Sequence, residues 1–240
     1  MNPWDRPDRL PEEEDANRLY PEPDVVTMRT NRLRMAPAAV LGGLMVALAL
    51  WQWWTVGDMV DWALSGPRLA AGRFETLLLH MFAHGGLVHL CFNTVALLAF
   101  TPPVMQRLGP PGGRAFAAYG ALFLASGLAG AALWLAINPA SMVPMLGASG
   151  AIFGLLGFIL RQPDPYAPPA PLISAASRRA VWEWIKLHLI LFAIVLGPSL
   201  LLGGQASFGL AWEAHLGGFI AGMLLCGPIG RWARAQEGIA

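Results

Sequence analysis

Charge is what this chain has least of: 13% of its 240 residues are charged and 55% are hydrophobic. An ordinary soluble domain carries about 25% charged residues, so that class is excluded. The little charge is also segregated. Eight of the fifteen acidic residues fall in the first 24, and between Pro37 and Gly230 carboxylates are few and mostly in loops. Cysteine is scarce too. Cys91 and Cys226 sit in separate apolar segments at different depths, whereas a disulfide needs Cα atoms within about 7 Å. Both are read as small buried hydrophobes. The start of the chain lacks the short apolar core and small-residue cleavage site of a signal peptide, so the first hydrophobic segment is expected to act as an uncleaved signal anchor. A net charge of +1 offers no electrostatic footprint for nucleic acid, and no such partner is expected.

What is present reads as an all-α polytopic membrane protein. Residues 1–36 combine Pro3, Pro7, Pro11, Pro21 and Pro23 with the run Glu12, Glu13, Glu14, Asp15, too polar to bury a core, and are read as a disordered cytoplasmic tail. A spanning helix needs about 20 apolar residues. Six candidates follow, at 36–54, 87–104, 115–137, 147–160, 181–202 and 209–228. They define a membrane domain over 37–230 and a short cytoplasmic tail over 231–240. The fourth segment is short, so it is expected to begin inside protein, below the membrane surface. Between spans one and two, Val56, Met59, Val60 and Leu64 recur at helical spacing beside Trp51, Trp53, Trp54 and Trp62, which predicts an interfacial helix. The Pro-rich stretch 161–171 is a linker to span five.

Basic residues set the orientation, because cytoplasmic flanks carry the Lys and Arg excess. Arg29, Arg32 and Arg34, then Arg107 and Arg114, then Arg161, Arg178, Arg179 and Lys186, then Arg231 and Arg234 all fall on one side, against only Arg68 and Arg73 opposite. Both termini are therefore expected in the cytoplasm, with spans two, four and six entering from the outer face.

That orientation brings polar residues of three helices to one shallow level: Ser149 at the head of span four, His215 at the head of span six, and His84, His89 and Asn93 at the head of span two. Polar groups in spans are costly and are functional candidates by default. Gly147, Gly150, Gly154 and Gly157 share an arc of one helix, and His215, Gly218 and Gly222 share a face of another; small residues so arranged allow close helix packing. A serine hydroxyl becomes a nucleophile when a neighbouring base takes its proton, and neutral histidine is the usual base. Glu213 lies two residues from His215 and points elsewhere on a helix, so a dyad is expected and no triad. His80 is read as interfacial. His188, near the inner end of span five, is read as too far down to join the site.

In "GASG" (147–150), "HGGLVHLCFN" (84–93) and "AHLGG" (214–218), in this order and topology, the chain closely resembles the rhomboid family of intramembrane serine proteases. The resemblance implies a six-transmembrane-helix bundle with an interfacial helical loop between spans one and two. It implies Ser149 as nucleophile, His215 as general base, and an oxyanion hole of Asn93, His89, Gly147 and the backbone N–H of Ser149. Gly150, Gly154, Gly218 and Gly222 fall to helix packing, and His84 to the cavity rim. No cofactor and no metal ligand set is implied; "HExxH" is missing and no acid lies beside His84 or His89. The partners implied are single-span transmembrane substrates, cut near the outer end of their span, and the lipid bilayer of a cell (inner) membrane, with the active site opening outward; oligomeric state is left open. Many relatives carry a Trp-Arg pair in the first external loop, where this chain has Glu75 and Thr76 with Arg73 nearby. The alternative reading is a non-catalytic relative that binds membrane segments.

Overall fold

The computed structural model of the chain describes residues 25–55, 57, 59–201 and 210–235, and these are helical throughout apart from loops. Helix α1 runs Val25–Thr55, followed by a 3-10 turn at Val60–Trp62 and two short helices, α2 (Gly66–Ala70) and α3 (Thr76–Leu79). Then come α4 (Leu87–Leu108), α5 (Gly113–Ile137), α6 (Ser149–Arg161), α7 (Ala175–Leu201) and α8 (Trp212–Arg234). Segments Arg29–Thr55, Leu87–Leu108, Gly113–Ile137 and Trp212–Arg234 are each long and apolar enough to cross a bilayer. Their outer surfaces present Val40, Leu50, Val95, Leu128, Ile220 and Leu224, side chains that only lipid would cover without penalty. The protein is an all-α polytopic membrane protein.

Helix α1 begins well before the expected span, so residues 25–36, read as part of a disordered tail, are helical and the helix continues through Pro37. Proline there forfeits one backbone bond, which a helix in lipid tolerates when the turns on either side hold. Residues 1–24, residues 236–240 and Val56 lie outside the described residues. Helix α8 likewise extends through Arg231 to Arg234. The loop between α1 and α4 is broken into several short pieces in place of one interfacial helix. Leu64, expected on that helix, instead pairs with Met145 in a two-residue antiparallel bridge with both N···O distances 2.8 Å. That contact joins positions far apart in sequence, and no local periodicity reports it.

Short helix α6 stands at the centre, packed between α5 and α8. Its neighbours come so close that side chains are excluded at the contacts. A Cβ on Gly218 would lie 1.8 Å from the Gly150 carbonyl oxygen, one on Gly222 1.9 Å from that of Gly154, and one on Gly157 2.3 Å from that of Phe219. On its other side, Gly154 abuts Ser126 of α5. In lipid there is no hydrophobic force between helices, so such close backbone packing is the main source of their association. A second layer of large apolar groups, including Met45, Leu97, Met105, Leu122 and Phe158, fills the space toward α1 and α4. Within it Thr101 Oγ1 and Tyr119 Oη satisfy each other at 2.7 Å.

One end of the bundle is tied by arginines reaching backbone carbonyls. Arg107 donates to Gln162 O at 2.6 Å and Pro163 O at 2.8 Å, Arg161 to Ala170 O at 3.0 Å and to Met223 O, and Arg234 to Arg107 O. These three residues belong to three of the basic groups that set the orientation in the sequence. At the opposite end lie the head of α6 and the loop before α4.

Candidate active site at the head of the short helix

Gly147 fixes the entry to α6. It has φ +117°, a left-handed conformation that any side chain would strain, and its N–H donates to His80 O at 2.8 Å. Gly147 therefore stands outside the helix, not on its glycine arc as expected. His80 is buried within the protein, and its carbonyl sets the turn. Ala148 occupies the cap position and offers no side-chain bond to the helix. Ser149 is then the first helical residue, its N–H among the amides that a helix leaves without an internal acceptor.

The Ser149 hydroxyl is engaged from the neighbouring helix. His215 Nε2 lies 2.8 Å from Ser149 Oγ, and His215 is 3% exposed. The two meet because Gly150 and Gly218, one and three residues away, let α6 and α8 touch backbone to backbone. Phe153, one turn down α6 from Ser149, stacks on the imidazole with centroids 4.3 Å apart and planes 24° off parallel. Glu213 turns away: its Oε1 accepts from Asn138 Nδ2 at 3.0 Å.

His188 is a correction. Far from sitting below the site, it places Nε2 3.0 Å from His215 Nδ1. Its own Nδ1 lies 3.0 Å from Trp184 O. Helix α7 begins at Ala175 and not near 181, so His188 stands thirteen residues up it, about 20 Å at 1.5 Å per residue. Ser149 stands twelve residues above Arg161 at the far end of α6, about 18 Å by the same rise, and the two levels match. The early start of α7, masked by Arg178 and Arg179, is what sequence reading missed.

Across Ser149, α4 supplies a second pair. A Cβ on Gly147 would lie 2.7 Å from His89 Nε2 and 3.9 Å from Asn93 Nδ2, so the absence of a side chain there lets the His89 ring pack against the backbone just before Ser149, with Asn93 close by. The Gly85 N–H reaches His89 Nδ1 at 3.4 Å. An amide can only donate, so the neutral ring accepts at Nδ1 and carries its proton on Nε2, on the side of Gly147. Asn93 uses one Nδ2 hydrogen on His89 O at 3.0 Å, leaving the other free. His84 is buried with Nδ1 3.1 Å from Phe82 O, an Nε2 without a partner among the described residues, and its ring edge-on to His89 at 5.2 Å. Burial, with a smaller contribution from His89, lowers its pKa to about 4. Burial does the same to His80.

Outside the helix heads, Arg73 pairs with Glu75 and donates to Asp61 O at 3.1 Å, while Arg68 donates to the same carbonyl at 2.9 Å. The ion pair raises the pKa of Arg73 and lowers that of Glu75. Glu75 and Thr76 are thus held by local contacts with Arg73, Thr76 Oγ1 donating to Arg73 O at 2.6 Å. Cys91 and Cys226 are both free thiols.

A polytopic helical protein with a serine and an imidazole in contact at two helix heads, and a second histidine and an asparagine beside the same turn, belongs to a narrow class. The Rhomboid domain profile matches residues 71–232. The chain belongs to the rhomboid family. It is 29% identical over 169 residues to Rhomboid protease GluP of Bacillus subtilis, 70% of this chain and 28% of that protein. It is 28% identical over 163 residues to RHOMBOID-like protein 5 of Arabidopsis thaliana, 68% of this chain and 46% of that one. Putative rhomboid protease YdcA of Bacillus subtilis is 33% identical over 92 residues, 38% of this chain and 43% of the relative. The chain thus spans less than half the length of these curated relatives.

Proposed function

We propose that the protein is an intramembrane serine endopeptidase that cuts single-span membrane proteins near the outer end of their span. The observation that carries this reading is the 2.8 Å contact between Ser149 Oγ and His215 Nε2, made inside the protein between two helices. As Ser149 Oγ bonds to the scissile carbonyl carbon, its proton passes to His215 Nε2 and the carbonyl π pair moves onto oxygen. That oxyanion accepts from His89 Nε2–H, Asn93 Nδ2–H and the Ser149 N–H, beside Gly147. His215 then gives the proton to the departing nitrogen as the C–N bond breaks, and water removes the acyl group by the same path in reverse roles. Gly150, Gly154, Gly218 and Gly222 hold the two reacting helices together, and His84 borders the donor pair.

The architecture proposed is a bundle of six spans, with α6 and α7 joining the four long apolar helices. Residues 1–36 and 231–240 flank a membrane domain over 37–230. The arginine-tied end faces the cytoplasm with both termini, by the excess of basic residues there, in a cell inner membrane. The site then opens outward, and water reaches it from that side. A substrate helix hides its peptide bonds, so small or helix-breaking residues near the outer end of its span favour the local unwinding that attack requires. The two Bacillus relatives named as proteases lend support to the activity.

The test uses purified protein in detergent with a single-span test substrate and mass-spectrometric mapping of the cut. Wild type is expected to cleave near the outer end of the span, and Ser149→Ala and His215→Ala to be inactive while folding normally. Cleavage by Ser149→Ala overturns the serine mechanism, and a cut near the cytoplasmic end overturns the orientation.

A further inference from the structure

Behind Ser149 the hydrogen bonds form a chain with one permitted direction. Trp184 O, 3.0 Å from His188 Nδ1, is a carbonyl and can only accept, so His188 carries its proton on Nδ1. A neutral His188 then has a lone pair on Nε2, 3.0 Å from His215 Nδ1. His215 must therefore donate from Nδ1. That leaves the His215 lone pair on Nε2, 2.8 Å from Ser149 Oγ, where the serine hydroxyl donates into it. A single backbone carbonyl thus determines the tautomers of two imidazoles and leaves the base in the form that can take a proton from Ser149.

Aromatic rings pack against this pair, and among the described residues no charged group bonds to either imidazole. His188 is 4% exposed. Trp184 lies against its ring at 4.0 Å between centroids, and Phe153 lies 4.8 Å from it while stacking on His215. Glu183 and Lys186 pair with each other at 2.8 Å on the exposed side of α7, and Glu213 is held by Asn138.

We infer that His188 is a positioning residue: through its Nε2 lone pair it holds His215 in the Nδ1–H tautomer and stabilises the imidazolium formed when Ser149 attacks, a Ser-His-His arrangement in which a neutral imidazole stands where a carboxylate serves in many serine hydrolases. The inference rests on the proteolytic reading above. No proton leaves His215 for His188. The bond between them strengthens as His215 becomes cationic, because a hydrogen bond from a charged donor is stronger than a neutral one.

The experiment compares His188→Phe, which keeps an aromatic ring and removes the acceptor, with His188→Gln, whose Oε1 can replace it, in kinetics on the single-span test substrate. A misoriented base costs about 10²-fold, so His188→Phe is expected to lose about that factor in kcat with little change in KM, and His188→Gln to recover most of it. A purely structural role would lower the amount of folded protein or raise KM, and Gln would then rescue no better than Phe. An inactive Ser149→Ala together with full kcat in His188→Phe overturns this inference alone; an active Ser149→Ala removes the proteolytic reading as well. A second measurement does not depend on variant folding: nitrogen-15 histidine spectra of the wild-type protein are expected to show both His188 and His215 protonated at Nδ1. Protonation of His215 at Nε2 in the resting protein would overturn the inference.

Discussion

Gly218→Ala perturbs the contact on which the site depends more directly than any change to the reacting groups. The added Cβ would lie 1.8 Å from the Gly150 carbonyl oxygen, where ordinary contact begins at 3.4 Å. The obstacle is backbone, so no side chain can swing aside, and α6 and α8 must separate by about the difference, roughly 1.6 Å. Gly150 adjoins Ser149, and Gly218 is less than one turn from His215. The displacement therefore acts almost undiminished on the 2.8 Å contact between Oγ and Nε2, lengthening it beyond hydrogen-bond range. Overpacking of this kind costs about 1–3 kcal/mol in stability, and a 1 Å misplacement of catalytic groups costs about 10²-fold in rate. Thermal unfolding in detergent and cleavage of a single-span substrate measure the two effects. Gly120→Ala is the control: it lies on α5 and its Cβ would meet nothing within 4 Å. It is expected to keep full activity and to gain about 0.5–1 kcal/mol from helix propensity. Wild-type turnover and an unchanged midpoint in Gly218→Ala would refute the claim that glycine packing sets the geometry.

Other expected outcomes follow from the same contacts. Asn93→Ala removes a donor that acts on charge developing in the transition state, so kcat should fall by about 10²- to 10³-fold with KM nearly unchanged; a change in KM alone would assign Asn93 to helix packing. Glu213→Gln should keep most of the activity, because the partner of its Oε1 is Asn138 at 3.0 Å and not His215; steady-state kinetics decide it. His80 and His84 are buried neutral with pKa lowered to about 4, against about 6.5 in the unfolded chain. The unfolded state binds more protons between those values, so stability is full above about pH 6.5 and is lost as pH falls through 4. An unfolding midpoint that stays level from pH 7 to pH 4.5 would contradict that assignment.

Features repeated along one helix were legible in the sequence. Residues near 147–150, 214–218 and 84–93 could be placed at helix heads because each span declares itself by its own apolar run. The approach of α6 to α8 could be anticipated because Gly150, Gly154, Gly218 and Gly222 recur at helical spacing. Contacts between distant segments were not legible. Leu64 pairs with Met145 through backbone atoms alone, which no side-chain pattern encodes, and His80 acts on Gly147 through its carbonyl. His188 stands higher than its apolar run implies for a different reason: α7 starts with the polar turn Ala175–Arg179 and reaches the bundle from further back. A helix start signalled by Ser174, whose hydroxyl accepts from Ser177 N at 3.1 Å, would have raised His188 to the level of Ser149.

The central claim is that Ser149 is an activated nucleophile, and reaction with a fluorophosphonate tests it most directly, because only a serine whose proton is taken by a base reacts readily. Purified protein would be labelled in detergent, digested, and the adduct located by mass spectrometry. The modification is expected on Ser149 alone among the serines of the chain, absent in Ser149→Ala and strongly reduced in His215→Ala. A folded wild-type protein that takes up no label, or one that labels equally well without His215, would contradict the account.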